Sequence, residues 1–333
     1  MEQSSANAPH ERRESGVTRR AFLGTALGGG AAILAGGASV IFSTASNAAT
    51  TNAAADSMFK IGGDLPVNRL GFGAMRLTGE GIWGWPPDRD EARKVLRRAV
   101  ELGVNLIDTA DAYGPETSEL LIAEALHPYP KGLVVATKGG NTRPGPGQWV
   151  PDGRPEYLTQ CVEKSLKRLR LERIDLYQLH RVDPKVPMEE SLGALKKMQE
   201  AGKIRHVGLS EVDPEEIARA RKVLPIVSVQ NQYNVGYRKW EKALAYCEKE
   251  GLGFMPWSPV GGGRSLKGGA LETAAKNHGA SFYQVAIAWL LARSPGMLPI
   301  PGTSSVAHLE ENVAAGRLQL TPAELKSLDG LAS

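Results

Sequence analysis

Four residues that can hold or move a proton stand at or near the ends of short apolar stretches: Asp108, Tyr113, Lys138 and His180. Alone, each has an ordinary structural explanation, such as a helix cap, a turn, a solvated side chain or a buried histidine. Together they fit carbonyl reduction, which needs a proton for the alkoxide that forms as hydride arrives. A tyrosine hydroxyl can give that proton, and a lysine ammonium beside it lowers its pKa from about 10. A carboxylate would keep the lysine charged, and a neutral histidine would hydrogen-bond the carbonyl oxygen.

The elements that must position these residues alternate between strand and helix patterns from Phe59 onward. The strand segments are apolar with little polar alternation, as in parallel sheets covered on both faces. The sequence predicts strands over residues 70–74, 104–108, 133–137, 174–179, 204–209, 226–229, 253–256 and 298–301. It predicts helices over residues 90–102, 118–126, 155–169, 188–200, 214–223, 239–249, 282–293 and 306–315.

Eight strand–helix units within residues 56–333 predict a (β/α)8 TIM barrel, an α/β fold of this size. A short β-hairpin is expected at residues 59–67, before the first barrel strand. An open, doubly wound sheet is the alternative, but no glycine-rich turn follows the first strand. Barrel chemistry takes place at the C-terminal ends of the strands, so the four residues are expected to share one mouth.

Composition excludes several function classes. The formal net charge is only +4, and the basic clusters recur at helical spacing, which favours solvated helix faces over nucleic-acid binding. The chain has two cysteines and no CxxC, and its six histidines lack metal-ligand spacing. We therefore expect neither a disulfide framework nor a metal site.

The first 49 residues predict an export signal and linker. Arg19 and Arg20 precede Phe22-Leu23, then a Gly- and Ala-rich apolar run, then small polar residues. The paired arginines resemble the twin-arginine signal, which implies that the translocation machinery is a partner and the mature protein is exported. Cleavage near residues 46–48 would leave no stable membrane association. The alternatives are an uncleaved anchor, a disordered tail, and a protein that works in the cytoplasm.

The segment Asp-Thr-Ala-x-x-Tyr-Gly at residues 108–114, the Thr-Lys ending at Lys138 and the Leu-His ending at His180 resemble the aldo-keto reductases. The matching segments occur in the same order as in the family, from about Phe59 onward. It implies that Tyr113 donates the proton, that Lys138 and Asp108 tune it, and that His180 orients a small carbonyl substrate.

The same resemblance implies a nicotinamide cofactor and its contacts. Ser210, Glu211 and Gln230 match positions that hold the carboxamide, and Trp257 matches the aromatic ring that stacks on the nicotinamide. The remaining positions implied for the cofactor are Ser258, Gly261, Gly263, Gly302, Thr303, Ser304, His308, Glu311 and Asn312. The backbone amides of a loop and a helix N-terminus also favour phosphate on physical grounds.

Two departures from the family pattern concern the cofactor. Glu211 stands where the family usually has asparagine, and an ionised glutamate accepts hydrogen bonds but cannot donate them. Gly302 and His308 replace a lysine and an arginine found in many NADPH-using members. We expect NADPH as the cofactor, with NADH as the alternative.

The substrate pocket is expected between residues 75–88 and 139–154, which contain Trp83, Trp85 and Trp149. These rings could clamp a flat or apolar substrate, or simply pack on the surface. Residues 69–75 and 300–309 resemble the bacterial branch of the family that contains pyridoxal reductase, which makes pyridoxal a candidate substrate.

Two rival functions fit parts of the pattern. A cofactor-binding redox sensor with little turnover would keep the barrel, although all four catalytic positions are filled here. A barrel hydrolase or isomerase without nicotinamide would need metal ligands or paired carboxylates at the strand ends, and the sequence shows neither.

Overall fold

The computed structural model describes residues 58–261 and 269–331. The chain divides into two units, Met1–Ala49 and Thr50–Ser333. The segment predicted to be an export signal, and Gly263 of the predicted cofactor loop, lie outside the described residues. Among the described helices, none is both long and apolar enough to cross a membrane.

Seven parallel strands form the central sheet. In spatial order they are β3 (Phe72–Gly73), β4 (Leu106–Asp108), β5 (Val134–Gly139), β8 (Ile174–Leu179), β9 (Ile204–Ser210), β10 (Ile226–Gln230) and β11 (Gly253–Phe254). Every residue of β4 and β5 is buried, as expected for strands covered on both faces.

The eighth predicted strand, residues 298–301, closes the ring without forming a regular strand. Leu298 donates its backbone N–H to Phe254 on one side, while Gly71 and Gly73 donate to Pro299 and Pro301 on the other. The two prolines have no N–H to offer a ladder, so hydrogen bonding here is too sparse for a continuous strand. The result is a TIM-barrel-like α/β fold.

Ten helices are described, and most lie between successive strands: α1 (Arg89–Glu101), α2 (Thr117–Leu126), α3 (Pro155–Leu169), α4 (Met188–Glu200), α5 (Pro214–Ala220), α6 (Glu241–Glu250), α7 (Gly269–His278), α8 (Phe282–Arg293), α9 (Val306–Ala314) and α10 (Pro322–Asp329). Helices α7 and α10 were not predicted. The sequence does contain a start signal for α10, since Thr321 and Glu324 form a capping box.

Two short antiparallel hairpins flank the barrel. Strands β1 (Met58–Ile61) and β2 (Leu65–Asn68) pair with each other, and their Ile61, Leu65 and Val67 pack against apolar residues inside the barrel. Strands β6 (Asn141–Thr142) and β7 (Val150–Pro151) pair in the loop after β5. The β1–β2 hairpin covers the barrel interior with apolar side chains. The β6–β7 hairpin lies beside the strand ends that carry the polar residues.

Candidate active site

The strand register brings together the four residues that the sequence predicts to handle the proton. Asp108 is the last residue of β4, Lys138 lies near the end of β5, and His180 directly follows β8. Asp108 is paired with Ala136, and Lys138 with Gln178, so neighbouring strands end at a similar level. Tyr113 belongs to the loop between β4 and α2. This grouping at the C-terminal ends agrees with the expectation for a barrel.

Lys138 is the centre of the group. Its Nζ donates to Asp108 Oδ2 at 2.7 Å, to the Thr109 carbonyl at 2.7 Å and to the Tyr113 hydroxyl at 3.2 Å. These bonds engage all three donors of the ammonium group. Lys138 is 0% exposed, and a buried charge needs such complete pairing.

The loop that carries Tyr113 is held at both ends. Asp111 donates its backbone N–H to the Lys138 carbonyl, and Ser118 donates to the Tyr113 carbonyl. Gly114 has φ +100°, and a Cβ there would collide with Thr117. Only glycine adopts this backbone conformation without strain, which explains the Tyr-Gly pair physically.

The pKa of Tyr113 differs from the expectation. Burial raises it above 10, and Lys138 opposes that rise without overcoming it. For Lys138, burial is the largest influence and lowers the pKa, but the charges and hydrogen bonds of Asp108 and Tyr113 together outweigh it, so the net pKa is raised. The pKa of His180 lies well below 6.5 because of burial and the nearby charges of Lys138, Arg181 and Arg143. At neutral pH the group is therefore a protonated phenol, an ammonium and a neutral imidazole.

The second oxygen of Asp108 is also occupied. Gln178 Nε2 and Gln230 Nε2 donate to Asp108 Oδ1 at 3.2 Å and 2.8 Å. Gln230 was predicted as a cofactor contact, and the structure shows it holding the carboxylate that pairs with Lys138. Sequence reasoning missed Gln178, although its place near the end of β8 was a usable signal.

Three rings form a cluster above the ion pair. Trp149 lies edge-on to Tyr113, with ring centroids 6.1 Å apart, and to His180, 5.9 Å apart. Tyr113 and His180 are themselves 5.8 Å apart. The Arg143 guanidinium lies 3.7 Å from the Trp149 ring centroid and donates to carbonyls of Gly81, Ala112 and Gln148. Arg143, which sequence reasoning missed, therefore ties three loops together beside the cluster.

The other two predicted pocket tryptophans are placed differently. The backbone of Trp83 bridges to Gly114, and Arg143 lies 5.7 Å from its ring, so Trp83 adjoins the Tyr113 loop. Trp85 is 40% exposed and stacks with Arg89, at the start of α1. The structure thus brings Trp149 to Tyr113 and His180, Trp83 to the edge of this group, and Trp85 to the surface.

Arg181 is a further residue that sequence reasoning missed. Its Nη1 donates to the His180 carbonyl at 2.7 Å and to Ser210 Oγ at 2.9 Å. It links the end of β8 to Ser210, a predicted carboxamide contact. Burial lowers the pKa of Arg181, while Glu211 and Tyr113 oppose that shift. Its position directly after His180 at a strand end was the available signal.

Glu211 and Trp257 contact each other. Glu211 Oε1 accepts from Trp257 Nε1 at 2.7 Å and from the Gln232 backbone N–H at 2.6 Å. After Trp257 the backbone turns, with φ +53° at Ser258 and +79° at Gly261. The Gly261 N–H donates to the Ser258 carbonyl.

The residues predicted for the adenosine end gather around the start of α9. Thr303 Oγ1 accepts from Ser305 N at 3.1 Å, and Ser305 caps the helix by accepting from His308 N at 3.5 Å. Ser304 and His308 are exposed, Glu311 and Asn312 are half-buried within the helix, and the Glu311 carbonyl accepts from Gln284. A Cβ at Gly302 would lie 2.5 Å from the Gly73 carbonyl oxygen, so this position leaves no room for a side chain without movement.

Within residues 58–261 and 269–331, no cluster of three or more His, Cys, Asp or Glu side chains could hold a metal ion.

Comparison with known proteins identifies the family. The model of the aldo/keto reductase family matches residues 69–333. The chain is 50% identical to an uncharacterized oxidoreductase of Schizosaccharomyces pombe, over 86% of this chain and 93% of the relative. It is 44% identical to pyridoxine 4-dehydrogenase of Escherichia coli, over 81% and 96%.

A solved structure shows the same fold. The aldo/keto reductase of Klebsiella pneumoniae in complex with NADP and acetate is 25% identical and has a TM-score of 0.70, with 83% of this chain and 95% of that chain covered. The family match covers most of the chain, including all four proton-handling residues. The chain therefore belongs to the aldo/keto reductase family and is an NAD(P)H-dependent oxidoreductase.

Proposed function

We propose that this protein reduces a small aldehyde or ketone with NADPH, and oxidises the alcohol in reverse, using Tyr113 as the proton donor. The observation that carries the proposal is the contact of Lys138 Nζ with both the Tyr113 hydroxyl and Asp108, beside a neutral His180.

Each residue then has a definite task. Tyr113 holds a proton that stays on the phenol at neutral pH, because its pKa lies above 10. Lys138 stabilises the phenolate that forms when the proton leaves. Asp108 keeps Lys138 charged and in place, and His180 donates a hydrogen bond to the substrate oxygen. Gln178 and Gln230 hold Asp108 from its other side.

The described residues fit a nicotinamide dinucleotide. When bound, the cofactor would supply the hydride. Trp257 offers a half-buried ring at the strand ends, and Ser210 has a hydroxyl whose oxygen accepts from Arg181 while its proton is left to donate. The close approach of Gly302 to Gly73 keeps side chains out of that part of the mouth. The N-terminus of α9 carries a positive partial charge that favours phosphate. NADPH is favoured over NADH because the Klebsiella relative is described with NADP.

The aromatic cluster supports a flat substrate. Trp149 lies beside both Tyr113 and His180, so a planar ring can contact the indole while its carbonyl faces the phenol and imidazole. The similarity to pyridoxine 4-dehydrogenase makes pyridoxal the first compound to test.

The deciding experiment is a titration of residues 56–333 with NADPH and NADH, followed by turnover of pyridoxal and benzaldehyde. Tyr113→Phe should abolish at least about 99% of turnover, the usual contribution of a positioned proton donor, while nucleotide binding persists. Tyr283→Phe, at a 40% exposed tyrosine, is the matched control. Binding of nucleotide without turnover of any carbonyl would favour a redox sensor, and failure to bind either nucleotide would refute the proposal.

We also propose that residues 1–49 direct export through the twin-arginine machinery, with the folded barrel carrying tightly held cofactor. The support is the Arg19-Arg20 pair before an apolar, glycine-rich run. A reporter fused to residues 1–55 should be exported, and changing both arginines to lysine should block export. Retention of the unmodified fusion in the cytoplasm would contradict the export proposal. Mature protein that loses its nucleotide on washing would contradict the proposal of a tightly held cofactor.

A further inference from the structure

Glu211 occupies an unusual backbone position. It directly follows β9 and has φ +57°, in the left-handed region that glycine and asparagine adopt far more readily than glutamate. Its backbone N–H donates to the Gln230 carbonyl at 3.1 Å, which holds it against the end of β10. A glutamate with this backbone conformation is strained, so the surrounding structure must hold it there. Strained backbone positions of this kind are concentrated at functional sites.

One carboxylate oxygen of Glu211 joins three strand ends. Oε1 accepts from the Gln232 backbone N–H after β10 and from the Trp257 indole Nε1–H after β11, at 2.6 Å and 2.7 Å. The backbone of Trp257 is fixed separately, because its N–H donates to Asn231 and its carbonyl accepts from Tyr233. Because the backbone is held in place, only the rotation of the indole ring remains free. The hydrogen bond to Glu211 fixes that rotation.

The same contacts limit what Glu211 can do for a cofactor. The two bonds to Oε1 occupy that oxygen, and neither ionised oxygen can donate a hydrogen bond. An indole N–H is a donor only, so a half-buried Trp257 without Glu211 would lose its partner and its preferred orientation.

We propose that Glu211 is a positioning residue that fixes the plane of the Trp257 indole ring, the surface on which a nicotinamide ring would stack. It acts on the cofactor through Trp257 rather than by holding the carboxamide. The hydrogen bond stands independently of the proposed function. Its consequence for nucleotide binding rests on that function.

The first test observes the indole directly. Indole ¹⁵N labelling gives one Nε1–H signal for each of the six tryptophans, and the signal lost in Trp257→Phe identifies Trp257. In the unmodified protein this hydrogen should exchange slowly with water. Glu211→Met keeps the side-chain length but removes the acceptor, so the signal should move and exchange at least about fivefold faster, the factor for a bond of about 1 kcal/mol. Glu211→Gln keeps an acceptor oxygen and should restore both properties.

The second test is a double-mutant cycle on the dissociation constant of NADPH. Glu211→Met should weaken binding about fivefold in the unmodified protein and have little effect when Trp257 is already phenylalanine. An equal effect in both backgrounds would mean that Glu211 contacts the cofactor directly, and would overturn the proposal. An unprotected Trp257 indole in the unmodified protein would also overturn it, even if no Glu211 variant folds. If NADPH does not bind at all, the proposed function fails while the indole measurement still decides the role of Glu211.

Discussion

Lys138 Nζ and Asp108 Oδ2 lie 2.7 Å apart, and their side chains are only 1% and 3% exposed. Removing two charges from water is costly, and their attraction offsets that cost only when the remaining donors and acceptors are also satisfied. Here Thr109, Tyr113, Gln178 and Gln230 satisfy them. We therefore expect loss of this ion pair to lower stability and, if the proposed function holds, activity as well.

Lys138→Met should lower the free energy of unfolding by about 3 kcal/mol, because it leaves Asp108 buried without its counter-charge. Adding Asp108→Asn should recover part of that loss. Chemical denaturation of the single and double variants measures both values. Arg219→Met, which breaks the exposed ion pair with Glu189, is the control and should change stability little. A Lys138 variant as stable as the control would contradict the role of the pair.

The rate of carbonyl reduction should change little between about pH 6.5 and pH 9. His180 has a pKa well below 6.5 and stays neutral there, while the pKa values of Tyr113 and Lys138 lie above that window. A steady decline in kcat/KM across the window would show that a group outside this set, such as Asp111 with its pKa of about 7, controls the rate. Because the folded state disfavours charged His180, the unfolded state binds more protons, and stability should fall as pH drops below 6.5.

Asp111→Asn should stabilise the protein at pH 8 by about 2–4 kcal/mol and have much less effect at pH 4. Burial and the charge of Glu119 raise the pKa of Asp111 to about 7. Between pH 4 and pH 7 the folded state keeps a proton that the unfolded state has lost, so stability falls as pH rises. Denaturation curves across this range measure the difference, and a gain that does not depend on pH would contradict the explanation.

His308→Arg should favour NADPH over NADH by about fivefold, since it adds a permanent donor at the exposed start of α9. Dissociation constants for both nucleotides at two salt concentrations give the ratio. Ala307→Arg places the same charge on a neighbouring exposed residue and serves as the control. If both variants change the ratio of the NADPH and NADH dissociation constants equally, the effect comes from general electrostatic attraction. That result would contradict a specific contact at position 308.

Trp149→Leu should raise the KM for an aromatic aldehyde by about tenfold more than the KM for an aliphatic aldehyde of similar size. The indole beside Tyr113 and His180 provides ring contacts that leucine cannot make. Trp85→Leu, at the exposed ring near Arg89, is the comparison. Equal effects on both aldehydes would place Trp149 outside the substrate pocket.

Much of the site was predictable because it depends on local pattern and on one rule of barrel geometry. The apolar strands were located within a few residues, and the C-terminal ends of parallel strands meet at one mouth. That was enough to bring Asp108, Lys138 and His180 together with Tyr113. The predicted strand at 298–301 failed to form regularly because Pro299 and Pro301 lack backbone donors, a signal that the sequence already contained.

The sequence by itself determined the order of β/α units, the family, and the four residues proposed to handle the proton, because strand periodicity and strand-end position are properties of neighbouring residues. Only the tertiary structure decided what surrounds them. Trp149 reaches the site through a hairpin, Gln178 and Gln230 converge on Asp108, and Glu211 binds Trp257. The rise in the Tyr113 pKa also belongs here, because desolvation depends on every element packed around the hydroxyl.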